Sequence, residues 1–377
     1  MRQEAEARLR DLHTRVLSNL IMLGQIPAPT GDEKERGKYL KERFTALGLE
    51  DISEDTFGNV FARRPGAQGR KTLALFAGID TVFPKEVGYE YDVTPTQVIG
   101  PGVSYDSLAA SSLISIAEFF TEWDRPLKDD ILFVGLARCA DQADQEGMRK
   151  FLESPLSRRI DGALMLESIG LGRLSYFSFG ALKFDLTIDL PQGQLGRVGV
   201  SRSSAIEILA DAVNLIQGIE LPRHPKAGLN LGVIEGGESH EFWATKAKLG
   251  AEIRSESTEI LAGVEEEVDE IALHLGSYYG CKASLRKFGR RTTAGLRFTH
   301  PIVRAIRRLL HGLDILPAPG PDTMAGSLAM AAGIPTVTLG LTQGTRAGKR
   351  SIIEIEPIHT GLLQVILALH QLGDLLE

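Results

Sequence analysis

Apolar residues at Leu9, Leu12, Val16, Leu20 and Leu23 recur at helical spacing, so the first 23 residues predict a helical run with one buried stripe. IPAPTGDEKERGKYLKERFTALG starts a second helix, with Thr30 and Glu33 spaced as a capping box. The period then changes. KTLALFAG, DDILFVGLA, DGALMLES and IPTVTLGL are short, continuous apolar runs flanked by turn residues. Their length and their Val, Leu and Ile content predict strands buried on both faces of a mainly parallel sheet. Helical runs lie between them, which is the alternation of a layered α/β domain.

The texture shifts near Arg173. LSYFSFGALKFDLTIDL alternates like a half-exposed strand, SSAIEILADAVNLIQ is an amphipathic helix, LNLGVIE and AKLGAEIRSE are strands, and STEILAGVEEEVDEIALHLG is a second amphipathic helix. The order strand, helix, strand, strand, helix, strand makes a small α+β sandwich of the ferredoxin-like kind. Text of the α/β kind resumes near residue 290. Residues 174–289 therefore read as an insert, and residues 1–173 with 290–377 as one discontinuous α/β domain.

A chain of 377 residues is long for one core and suits two domains. Its net charge of −7, with Lys and Arg scattered, offers nothing to nucleic acid or to an anionic membrane surface. The apolar runs fall short of the roughly 20 residues that span a bilayer. Two cysteines, Cys139 and Cys281, give no disulfide framework, and no leader-like start is present, so cytoplasmic residence is expected. None of the eight histidines stands at metal-ligand spacing with another; His300 and His359 fall at helix starts and His240 in a loop.

Candidate chemistry gathers in FAGIDTVFP around Asp80, GPGVSYDSLAASSLISIAEFF around Tyr105 and Asp106, and LFVGLARCADQADQEGMRKFL around Cys139. With GLGRLSY, SSAIEILADA, LNLGVIEGGES, AEIRSES, PDTMA and GIPTVTLG, these stretches resemble the aminoacylase, acetylornithine deacetylase and carboxypeptidase-G-like family of co-catalytic zinc peptidases, over essentially the whole chain. The resemblance implies a zinc-exopeptidase-like three-layer domain with a mainly parallel sheet, plus an inserted α+β ferredoxin-like lid. It also implies which positions once carried the reaction. The family's five ligand positions fall on Gly78, Tyr105, Ala140, Glu167 and Arg350, of which Glu167 alone keeps a suitable donor. A glycine and an alanine have no ligand atom, a phenol is a poor bridge at neutral pH, and an arginine is a permanent cation. The general-base position is Cys139, and the lid's carbonyl-polarising His and its Asn fall on Gln194 and Glu241. The lid arginine that grips a substrate carboxylate survives as Arg254.

The expectations follow from those substitutions. No zinc is expected, and no residue is assigned as catalytic. Asp80, Asp106, Glu167, Arg254 and Arg350 are the ligand-binding candidates. The function expected is a catalytically degenerate relative that binds a small carboxylated ligand or acts as a partner or regulatory subunit; the alternative is a hydrolase of amide or peptide bonds with an altered site. Asp80 can also be ordering a turn, Cys139 can be an inert buried thiol or a nucleophile, and Asp322 can cap a helix. The resemblance also implies a homodimer through the lid and a cis peptide at Tyr105–Asp106. Arg350 is expected to reach Glu167, Asp80 or Asp106 and answer the charge that the metals left behind.

Overall fold

A computed structural model of the chain describes residues 2–123, 125–140, 144–190 and 203–376. Two compact units result, Met1–Phe177 with Gly295–Glu377, and Ser178–Ala294.

In the first unit, strands Asp130–Leu136, Thr72–Gly78, Gly162–Ile169 and Thr336–Thr342 lie side by side in that order, all parallel. These are the four continuous apolar runs. Their alternation shows why no polar face was visible: Leu73, Leu75 and Ala77 enter one core with Leu113, Ile116 and Ile366, while Ala74 and Phe76 enter another with Met148, Phe151 and Leu328. Both faces are covered, so each position is worth burying, at about 1.5–3 kcal/mol for a large aliphatic or Phe side chain. Helices Leu108–Glu122 and Glu356–Leu372 supply the first cover, and the shorter Glu146–Glu153 and Ala325–Ala331 supply the second.

The N-terminal stripe is buried as expected at Leu9, Leu12, Val16, Leu20 and Leu23, although the run divides into Arg2–Asp11 and His13–Gly24. The capping box at Thr30 and Glu33 does not form. Helix Lys34–Ala46 begins without a side-chain cap, because both side chains are drawn elsewhere by stronger partners described below. Sequence periodicity also missed the antiparallel hairpin Glu50–Glu54 and Val60–Arg64 at the sheet edge, where an exposed, charge-rich strand has no apolar face to read. A further small sheet of Asp92–Val93, Gln97–Ile99, Gly344–Thr345 and Ile352–Glu354 has strands too short to carry a period.

The second unit has the order strand Gly180–Asp189, helix Ala205–Gln217, strands Ala227–Gly236 and Lys246–Ser255, helix Thr258–Tyr279 and strand Lys282–Arg291. Its antiparallel sheet is ordered Ala227–Gly236, Lys246–Ser255, Gly180–Asp189, Lys282–Arg291, the ferredoxin-like arrangement. Leu182, Phe184, Leu186 and Ile188 alternate into a core with Ile208, Leu209, Leu261, Val264 and Val268 from the two helices. Here a capping box does form, between Ser204 and Glu207. The run LSYFSFGALKFDLTIDL is two strands rather than one, Arg173–Ser178 pairing in the large sheet and Gly180–Asp189 in the small one. Among the described residues no helix is long and apolar enough to cross a membrane.

Candidate functional site

The carboxyl ends of parallel strands deliver residues to one edge of the sheet. Gly78 ends the strand Thr72–Gly78, Leu136 leads into Arg138, Cys139 and Ala140, and Glu167 lies near the end of Gly162–Ile169. Such an edge is where α/β folds place their sites.

Asp80 is fully buried and all of its work is visible. Oδ1 accepts from the Cys139 N–H at 2.9 Å, and Oδ2 accepts from the Ala140 N–H at 2.9 Å and from the Thr30 hydroxyl at 2.9 Å. Glu33 Oε1 takes the neighbouring Arg138 N–H at 3.1 Å and Gly31 N–H at 2.7 Å. Three successive backbone N–H groups thus face two carboxylates, a nest that fixes a turn in which Arg138 adopts a left-handed φ of 50°. This is why Thr30 and Glu33 are unavailable as a capping box. Burial leaves the Glu33 carboxyl above its usual value; the Gly31 N–H bond opposes that shift and the nearby Asp80 charge adds to it.

Tyr105 and Asp106 sit in a π-helical turn, Val103–Ser107, that leads into Leu108–Glu122. The extra residue in such a turn re-aims side chains. Both are half-buried. Desolvation, then the Asp80 charge, push the Asp106 carboxyl up to about 7, with Arg346 pulling the other way. A Cβ placed on Gly78 would stand 3.1 Å from Asp106 Oδ1 and 3.2 Å from Cys139 Cβ. The space beside Gly78 is therefore filled by the Asp106 carboxylate and the Cys139 side chain. The cis peptide expected at Tyr105–Asp106 is not formed; among the described residues the cis bond is His224–Pro225, and the π-helical turn runs on trans bonds.

Glu167 is buried and accepts from Arg173 Nη1 at 3.1 Å, with Arg346 Nη2 at 3.9 Å from its other oxygen. Burial raises its pKa, and Arg173 opposes the shift. The Arg346 guanidinium also lies 5.1 Å from the Tyr105 ring centre, whose edge meets Phe83 at 5.7 Å. Arg350 does not take the part expected of it. It is exposed, in the short turn Gly348–Arg350, without an ion pair or side-chain hydrogen bond among the described residues. The backbone path decides which cation of TQGTRAGKR turns inward, and it selects Arg346.

Arg36 is a second unanticipated cation. It is fully buried and donates to the carbonyls of Ile26 at 2.8 Å, Gly24 at 3.2 Å and Ile79 at 3.1 Å, beneath Asp80. A signal for it was present, since Arg36 continues the i, i+4 row of Leu40 and Phe44 on the buried face of its helix. Arg173 and Arg346 stand at the first position of a strand and in a Gly-rich turn, where no period aims a side chain.

Cys139 is buried and its thiol is pushed well above the usual range by desolvation, then by Asp80 and Asp106. A thiol in that state is a poor nucleophile. Asp322 accepts the Met324 N–H at 2.6 Å and the Thr338 hydroxyl, which orders the turn leading into Ala325–Ala331; that helix has Met324 at its N-cap and no side-chain cap. His300 caps Pro301–Gly312 through Nδ1. In the second unit Arg254 is exposed and paired with Glu252 at 2.7 Å, and Glu241 is exposed. Gln194 lies outside the described residues.

A zinc pair does not fit these side chains. Gly78 and Ala140 bring no donor, Arg350 a cation, and Asp80 has its oxygens bound to N–H and O–H groups. Among the described residues no three His, Cys, Asp or Glu side chains gather as a metal cage.

Residues 176–279 match the family model of the peptidase dimerisation domain. No curated protein sequence matches the chain. Among solved structures, an aminopeptidase, PepT, of Bacillus cereus is 20% identical with a TM-score of 0.77, covering 96% of this chain and 99% of its own. The YXEP protein of Bacillus subtilis, a dinuclear metal-binding peptidase of the M20 family, is 16% identical with a TM-score of 0.71 over 97% and 99%. The dipeptidase Dug1p of Saccharomyces cerevisiae is 13% identical with a TM-score of 0.77 over 99% of both. Along its whole length the chain has the fold of these peptidases, and its insert matches their dimerisation domain.

Proposed function

We propose that this protein uses a peptidase fold to bind a small carboxylated ligand, and that it does not hydrolyse amide bonds by the two-zinc route. The observation that carries this reading is Asp80. A carboxylate that accepts from two backbone N–H groups and a hydroxyl is a structural staple, and beside it stand Gly78 and Ala140 at expected ligand positions and the buried thiol of Cys139 at the expected base position. Without a metal, a water nucleophile forgoes the fall in its pKa from about 15.7 to about 7. Arg254 remains the candidate grip for the ligand carboxylate in the second unit. The match at residues 176–279 supports a homodimer through the insert, in which the exposed strand Ala227–Gly236, with Val233 and Ile234 outward, is a free sheet edge.

The second reading is a peptidase-like hydrolase with an altered site. It is favoured by the comparisons, since the neighbours in which this fold recurs are peptidases. One experiment separates the two. Elemental analysis of the purified protein is paired with hydrolysis assays on N-acyl amino acids, dipeptides and tripeptides, and with thermal shifts on the same panel. Ligand-dependent stabilisation without turnover, weakened by Arg254→Ala, supports the first reading. Turnover that persists through purification and disappears in a site variant such as Glu167→Gln establishes the second.

A further inference from the structure

Five carboxylates lie at or beside the strand ends, Glu33, Asp80, Asp106, Glu167 and Asp322, and four of them have hydrogen-bond partners within the chain. Glu33, Asp80 and Asp322 are held by backbone N–H groups. Asp106 and Glu167 have no such backbone donors among the hydrogen bonds of the described residues. Glu167 lies instead beside two guanidinium groups. Arg173 bonds Glu167 at 3.1 Å, Arg346 stands 3.9 Å from the same carboxylate while covering the Tyr105 ring, and Arg36 is locked into backbone carbonyls beneath Ile79. Arg36, fully buried, has no carboxylate at ion-pair distance among the described residues, so its charge is offset at longer range. Two arginines, Arg173 and Arg346, thus face Glu167, while Arg36 bonds the Ile79 carbonyl next to Asp80.

We infer that arginines have taken over the charge duty of a metal pair here, with Arg346 as the cation on the open side, so that the centre is complete without metal. The inference rests on the proposed reading of a site that does not use two zincs, and adds which residues replaced them. Physically the exchange is favourable because a guanidinium brings a delocalised charge with five donors and is more weakly hydrated than an ammonium. Tyr105 then acquires a role: its ring holds the planar cation, which a bridging carboxylate in that position would not do.

The test is thermal unfolding of the full chain with and without zinc, manganese and magnesium, in the parent, R346A, R346K, E167Q and R346A/E167Q. The parent is expected to be unmoved by cations or by EDTA. R346A is expected to lose about 2–4 °C in Tm, and R346K, which keeps the charge, less than half of that. The double variant should lose clearly less than the sum of the single losses, because Glu167→Gln removes the charge that Arg346 answers. Strictly additive losses, an R346A protein as stable as the parent, or a parent that gains several degrees from zinc and loses them to EDTA would each overturn the inference. If R346A does not fold, R346K and E167Q decide: R346K more damaging than E167Q overturns it. Metal-free hydrolysis of the peptide panel by the parent would sink the proposed function and leave the charge exchange standing, so the two failures are distinguishable.

Discussion

The Asp80 corner and the Glu167 corner, both at the carboxyl ends of neighbouring strands, satisfy a buried carboxylate by different means. Asp80 is held by N–H groups of a turn whose backbone is fixed, so its partners lose little freedom in binding it. Glu167 is held by two long arginines that are partly exposed, with 36% and 41% of their side chains accessible, and each must give up rotamers to reach it. The backbone solution is rigid and local. The arginine solution is softer, screened in part by water, and depends on residues from a strand start and a distant turn.

The largest expected effect breaks the rigid corner. Asp80→Ala leaves the Cys139 and Ala140 N–H groups buried without an acceptor, at about 1–3 kcal/mol each, so a loss of about 3–4 kcal/mol is expected in urea unfolding. A loss below about 1 kcal/mol would show that water or a shifted turn satisfies them. Next is Gly78→His, which introduces a ligand side chain. Its Cβ alone meets Asp106 Oδ1 at 3.1 Å and Cys139 Cβ at 3.2 Å, so overpacking of about 1–3 kcal/mol is expected, with no gain of zinc in elemental analysis.

A third measurement sharpens the comparison through pH. The Asp106 carboxyl is pushed up to about 7 in the folded protein, against about 4 for an unperturbed aspartate. A raised carboxyl pKa means that the folded state holds the proton more tightly. Its contribution to stability is therefore present below about pH 4, declines between about 4 and 7, and is flat above. Asp106→Asn should remove that slope from a series of unfolding curves. An unchanged slope would assign it to Glu33 or Glu167, whose shifts run in the same direction. The smallest effect belongs to Arg350→Ala. An exposed side chain without a partner should change stability by less than about 0.5 kcal/mol, and a larger loss would restore the charge-answering role first expected of it.

Much of the architecture was legible because burial on two faces writes itself as a continuous apolar run, and burial on one face as alternation. Thr72–Gly78 and Gly180–Asp189 are examples of each. The edge strand Glu50–Glu54 was illegible for the complementary reason: it is solvated and its residues are chosen for charge. The carboxylates beside the apolar runs, Asp80, Asp106 and Glu167, were legible as candidates. Their partners were not. Thr30 reads as a helix cap until Asp80, fifty residues away, takes its hydroxyl, and Arg350 reads as the inward cation until the turn brings Arg346 in instead.

The sequence by itself determined that carboxylates, Asp80 and Glu167, stand at the ends of apolar runs, since residue identity needs no coordinates. It also determined the βαββαβ order of the insert, because each element has its own period. Only the tertiary structure decided how the carboxylates are neutralised. That choice depends on which donors lie within about 3 Å of an oxygen, and such distances arise between residues far apart in the chain, on strands and turns whose directions no local pattern encodes.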